Sequence, residues 1–135
     1  MSAPVSRFPL VIDTSAWVRH RRPSALPFWE TAAKDGLLVA CPVATLEILR
    51  IARSEVEFEA LDSNFRLLRQ ATVTASVCSA ALTASRELGA RRRLPIADYL
   101  IAAAAAERGF GVLHADRHFD LLATVLPFES VRLPD

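Results

Sequence analysis

Short, unbroken apolar runs recur along this chain, separated by longer segments with three- and four-residue hydrophobic spacing, and this alternation most restricts what the chain can fold into. Residues 9–12 form the first run, residues 37–41 the second and residues 111–113 the third, each reading as a strand buried on both sides. Residues 128–133 are expected to add a last strand and residues 72–74 a short one. Between them, Pro42 suits a first helical turn, and Val43, Leu46, Leu49 and Ile51 make an apolar stripe interrupted by Glu47. Residues 55–70 place Phe58, Leu61, Phe65 and Leu68 on one helical face, and residues 75–88 form a helix closed by Gly89. Pro95 opens an alanine-rich helix over residues 96–108 that ends at Gly109, and Phe119, Leu121 and Leu122 begin a short one. Trp17, Val18, Phe28 and Trp29 supply helical pieces on either side of residues 21–23. The expectation is an α/β fold, with a parallel sheet of about four to five short strands flanked by helices on both faces.

At 135 residues the chain has the size of one domain, so residues 1–135 read as a single domain able to bury a core without disulfides. A net charge of +1 gives no general attraction to nucleic acid, so any such affinity must come from local patches or bound cations. Cys41 and Cys78 form no CxxC pair and read as two buried, reduced thiols. The N-terminal stretch has only a four-residue apolar run, too short for a signal-peptide core, and no apolar stretch is long enough to span a bilayer. A cytoplasmic protein with no membrane partner is the expectation.

The acidic residues separate into two groups. Most lie in charged surroundings, such as Glu55, Glu57 and Glu59, but Asp13, Glu47, Asp98 and Asp116 are each set in an apolar run. An ionised carboxylate is costly to bury unless a positive or hydrogen-bonding group receives it. Asp13 and Asp116 fall at the carboxyl ends of strands, where open parallel sheets bind ligands, and Asp98 lies in the first turn of its helix and can face the same crevice. Glu47 is less constrained. Carboxylates converging without a histidine or cysteine cluster select a hard cation, Mg2+ or Mn2+, in one or two copies, and such a site suits phosphodiester hydrolysis. Each acid taken singly has another role open to it: Asp13 as a helix cap, Asp98 as a partner of the helix dipole, Glu47 as a partner of Arg50 or Arg53.

Four segments carry a resemblance: Val11-Ile12-Asp13-Thr14-Ser15; Leu46-Glu47-Ile48-Leu49; the block from Arg91 to Ala103 around Pro95-Ile96-Ala97-Asp98-Tyr99; and Leu113-His114-Ala115-Asp116-Arg117-His118-Phe119-Asp120. In this order and at these spacings they resemble the acidic motifs of VapC-type PIN toxins over essentially the whole chain. The resemblance implies a PIN-like fold and a metal-dependent endoribonuclease, the toxin component of a toxin–antitoxin pair. Asp13, Glu47, Asp98 and Asp116 would then be catalytic, with Asp13, Asp98 and Asp116 as ligands of Mg2+ or Mn2+. Thr14 or Ser15 would orient Asp13 or a water, or else only help to start the helix. Many relatives carry a second aspartate two residues after the first in the fourth motif. Here that position is His118, which puts a second metal in doubt, and Asp120 follows two residues later.

Arginine supplies 15 of the 16 basic residues, and the Arg91–Arg93 cluster, Arg93 above all, is placed to grip RNA or else forms a solvated loop. By resemblance the partners are RNA, a VapB-like antitoxin and a second copy in a homodimer. Trp17, Phe28 and Trp29 are either interface or core aromatics. Two other readings stay open: a PIN-like nuclease outside toxin–antitoxin biology, and a catalytically weak domain that only binds RNA or protein. A phosphate-receiver domain is disfavoured because Lys34 is the only lysine.

Overall fold

The fold is taken from a computed structural model, which describes residues 6–135; the start of the N-terminal stretch read above lies outside the described residues. β1 (Leu10–Ile12), β2 (Leu38–Ala40) and β4 (Gly111–His114) are buried along their whole length, as their unbroken apolar sequences require. With β3 (Arg69–Gln70) and β5 (Glu129–Arg132) they form a wholly parallel five-stranded sheet in the order β3-β2-β1-β4-β5. The helices among the described residues are α1 (Thr14–Trp17), α2 (Leu26–Lys34), α3 (Pro42–Arg50), α4 (Glu55–Arg66), α5 (Ala75–Leu88), α6 (Ile96–Arg108) and α7 (His118–Leu122).

Period-two alternation divides the strand side chains between two cores. Val11, Val39 and Val112 face α5, α6 and α7, where they meet Ala81, Ala84, Ala102, Phe119 and Leu122. Leu10, Ile12, Leu38, Ala40 and Leu113 face the other way, onto Trp29, Ala32, Ile48 and Phe65. Helices therefore cover both faces, as the sequence pattern requires. In α6, Ala102 to Ala105 are fully buried, and their small side chains let the helix lie close to the sheet and to α5. Gly109, at φ +69°, ends α6 in the left-handed region and turns the chain into β4.

Two local expectations are corrected. The third strand is Arg69–Gln70, not residues 72–74, and α4 stops at Arg66 instead of running to residue 70. The Gln70 amide donates to the carbonyl oxygens of Phe65 and Leu68, satisfying the end of the helix, while Val39 and Ala40 take Arg69 and Gln70 as register partners. Thr74 is then free to cap α5, accepting from the Val77 amide. Cys41 is buried but Cys78 is exposed, because α5 turns Val77, Ala81 and Ala84 inward and leaves the next residue outside.

Gly111 in β4 lies directly between β1 and β5, with no room for a side chain. A β-carbon there would meet the Glu129 carbonyl oxygen and the Leu10 Cδ2, each at 2.9 Å. Gly111→Ala is therefore expected to cost about 1–3 kcal/mol by overpacking, read as a lower urea midpoint at unchanged slope. A midpoint equal to that of the unsubstituted protein would show that the strands can part without cost.

Candidate active site

The strand order changes direction at β1 and β4, and in open parallel sheets ligands bind beyond the carboxyl ends of the strands at such a point. From β1 the chain goes to β2 on one side, and β4 returns on the other, so the connections leave in opposite directions and part above these two strands. Asp13 follows β1 directly, and Asp116 is the second residue after β4, beyond Ala115. Asp13 caps α1, accepting from the Ser15 amide at 2.9 Å, and also accepts from the Ser15 hydroxyl. The same hydroxyl accepts from the Ala115 amide at 2.9 Å, so Ser15 ties the two strand ends together across 100 positions of sequence. Thr14 has a different partner: its hydroxyl donates to Glu47 Oε1 at 2.8 Å and fixes that carboxylate against α1.

Asp98 enters from the first turn of α6, where Pro95 precedes the helix and sets its start. It is 7% exposed and Asp13 4%, whereas Glu47 and Asp116 are partly open. The fifth participant is His118. Its Nδ1 lies 3.0 Å from Asp98 Oδ2 and 3.2 Å from Asp116 Oδ2, and its backbone amide donates to Asp116 Oδ1 at 3.0 Å. Asp98, Asp116 and His118 offer ligand atoms that all lie within 4.8 Å of one another. The structure thus brings the four sequence-predicted acids to one end of the sheet in two linked sets. Asp13 and Glu47 are held by Ser15 and Thr14, and Asp98 and Asp116 share His118.

Electrostatics make this an unbalanced site. Burial pushes the Asp98 carboxyl up to about 6, with the charges of Asp13 and Asp116 adding to the effect and His118 opposing it. Burial also raises Asp13, aided by the charge of Glu47 and opposed by its bonds to Ser15. Among the described residues no arginine or lysine forms an ion pair with any of the four acids. The cluster of Asp98, Asp116 and His118, with Asp13 near it and no lysine or arginine paired to these acids among the described residues, is of a kind that can hold a divalent ion.

Behind Asp116 lies a network that sequence reasoning did not anticipate. His114 is fully buried and held neutral, its pKa lowered to about 4 chiefly by burial. Its Nδ1 accepts from the Asp116 amide at 3.1 Å, which leaves Nε2 to donate to the Ser130 hydroxyl at 2.7 Å. Ser130 in turn donates to Asp120 at 2.7 Å. Asp120 is therefore engaged with β5, near Arg132, and is not part of the acidic cluster. The only sequence signal for this network was a histidine at the end of a buried strand, and nothing local marked Ser130 as its partner.

Arg93 is not brought to the acids by any contact. With Arg86 and Arg92 it lines a groove of about 780 Å3 between α5 and the start of α6, to which none of the four acids contributes. Trp29 is buried, and Trp17 stacks on His20 and packs edge-on to Trp29 and Phe65, so these aromatics belong to the core. No helix of the described residues is long and apolar enough to cross a membrane.

A doubly wound parallel sheet with acids gathered above its central strands is the architecture of the PIN domain, and the chain belongs to that family, whose description "PIN domain" matches residues 10–125. It is similar to Ribonuclease VapC51 of Mycobacterium tuberculosis, with 38% identity over 117 residues, 85% of each chain. It is also 34% identical to Ribonuclease VapC18 of the same organism over 119 residues, covering 84% of this chain and 87% of that one. In three dimensions it resembles the DNA-bound VapBC structure from Salmonella typhimurium at TM-score 0.71 and 13% identity, covering 93% of this chain and 98% of that one.

Proposed function

We propose that this protein is a metal-dependent endoribonuclease, the toxin component of a type II toxin–antitoxin module, which hydrolyses RNA phosphodiester bonds at the acidic end of its sheet. The observation that carries the reading is the gathering of Asp13, Glu47, Asp98 and Asp116 at the carboxyl ends of β1 and β4, with no arginine or lysine among the described residues paired to them. Its similarity to two ribonucleases over most of the chain supports the same activity.

In this reading Asp13, Asp98 and Asp116 hold Mg2+ or Mn2+. When bound, the ion supplies Lewis-acid polarisation of the scissile phosphate and stabilises the charge that grows on it. Glu47 is fixed through Oε1 by Thr14, which leaves Oε2 to accept the proton of the attacking water. Ser15 holds Asp13 in its ligating orientation and keeps the ends of β1 and β4 at a fixed separation. Arg91, Arg92 and Arg93 are exposed on the non-helical segment that leads into α6, and in this reading they bind RNA phosphates away from the acids, along the groove between α5 and α6. A VapB-like antitoxin and a second copy of the chain are the protein partners this reading implies.

The test is cleavage of total cellular RNA by the purified, antitoxin-free protein with Mg2+, with Mn2+ and with EDTA, using Asp98→Asn to control for contaminating nuclease. Discrete cuts that need the metal and vanish in EDTA and in the variant are expected, and their positions identify the target. Equal behaviour of protein and variant with every metal, on folded samples, would leave a domain that binds without cutting.

A further inference from the structure

We infer that His118 is itself a metal ligand, and that its imidazole nitrogen gives this site a preference for Mn2+ over Mg2+. The inference rests on the reading of the acidic pocket as a metal site and specifies which ion that site selects.

Two neighbouring donors on an octahedral ion, each about 2.1 Å from it, lie about 3 Å apart. His118 Nδ1 stands at 3.0 Å from Asp98 Oδ2, a hydrogen bond in the metal-free protein, and at 3.2 Å from Asp116 Oδ2; the same spacing is that of donors sharing one ion, which would replace the proton between them. The position is built by the fold. His118 opens α7, its amide is anchored on Asp116 Oδ1, and the next residue, Phe119, is fully buried. The other histidines are committed elsewhere. His114 uses both ring nitrogens, on Ser130 and on the Asp116 amide, and His20 bonds the Trp17 carbonyl through Nδ1 while packing against Trp17 and Trp29. Only His118 addresses the carboxylates.

An imidazole in place of a carboxylate changes the site in two ways. It removes one negative charge, and it replaces a hard oxygen donor with a borderline nitrogen. Mg2+ demands oxygen ligands in near-ideal octahedral geometry and gives up its waters reluctantly. Mn2+ stands in the series of divalent ions whose affinity extends to nitrogen donors, so it loses less by the exchange. A neutral nitrogen added to the three carboxylates therefore favours Mn2+.

The experiment measures the binding of Mn2+ and of Mg2+ to the full chain by calorimetry, and records pulsed electron paramagnetic resonance of the Mn2+-loaded protein. Nitrogen-14 modulation from a ligated imidazole is expected, together with tighter binding of Mn2+. His118→Asp, shown by circular dichroism to be folded, is expected to lose the modulation and to lower the Mn2+-to-Mg2+ affinity ratio by about tenfold. Mn2+ bound without nitrogen modulation in the unsubstituted protein would overturn the role of His118 while leaving the metal site standing, as would an unchanged ratio in His118→Asp. Mn2+ binding no more tightly to the unsubstituted protein than to Asp98→Asn would overturn both readings.

Discussion

Replacing Asp98 with asparagine is expected to lower RNA cleavage by about a thousandfold or more while leaving the fold intact. The substitution keeps the shape of the side chain in the first turn of α6 and keeps an oxygen able to accept from His118 at the 3.0 Å position. It removes the charge on which the proposed metal binding depends. The same change has a signature without substrate. In the metal-free protein the Asp98 carboxyl is pushed from the ordinary 3.8 up to about 6, first by burial and then by the charge of Asp13. A group whose folded pKa lies above its unfolded value stabilises the fold fully below the unfolded pKa, and that stability is lost as pH rises through the folded one. Metal-free protein should thus lose stability between about pH 4 and 6, by up to about 3 kcal/mol, and asparagine should remove most of that loss. Urea unfolding in EDTA at pH 4.5 and 7.5 reads this directly, with Asp98→Asn the more stable protein at the higher pH. Part of the slope should survive in the variant, because burial raises Asp13 in the same direction. Cleavage within tenfold of the unsubstituted protein would remove Asp98 from the ligand set, and parallel pH slopes would show that its carboxyl is not strained.

Phe119→Ala should bring the largest loss of stability, about 3–5 kcal/mol, from the transfer of the ring and the cavity it leaves. Phe119 is the largest of the fully buried side chains, sits in α7 among the core residues that include Leu122, and packs on the His114 ring with centroids 5.1 Å apart. A domain of this size has about 5–15 kcal/mol in all, so the variant is expected to be marginal at 37 °C. The loss should also reach the site. Phe119 anchors the turn that carries Asp116 and His118, and divalent-ion affinity should fall with stability even below the unfolding transition. Phe119→Leu, which keeps most of the volume, is expected to recover most of both quantities. A cost below about 1 kcal/mol for the alanine variant would mean that α7 is held chiefly by its backbone and by the Asp116–His118 contacts.

The order of elements was legible because it depends on local periodicity. Short unbroken apolar runs of three to five residues fit strands of a sheet covered on both faces, and three- and four-residue stripes between them fit helices packed on it. The acids were legible for a related reason: a carboxylate placed inside an apolar run stands out against the cost of burying it, which drew attention to Asp13, Glu47, Asp98 and Asp116 before any geometry was known. The two-residue β3 escaped this reading. Arg69 and Gln70 carry no apolar run and become a strand only because β2 offers them partners.

What the sequence by itself determined is the class of fold, the four acids and the end of the sheet where at least two of them must lie. Each follows from interactions between near neighbours in the chain. Tertiary structure alone decided the strand order that opens the crevice, the Ser15 hydroxyl that joins Asp13 to Ala115, the assignment of Asp120 to Ser130 instead of the acidic pocket, and the aim of His118 at Asp98 and Asp116. Apart from the two-residue link of His118 to Asp116, these depend on hydrogen bonds and packing between residues from ten to a hundred positions apart, whose geometry no local pattern encodes.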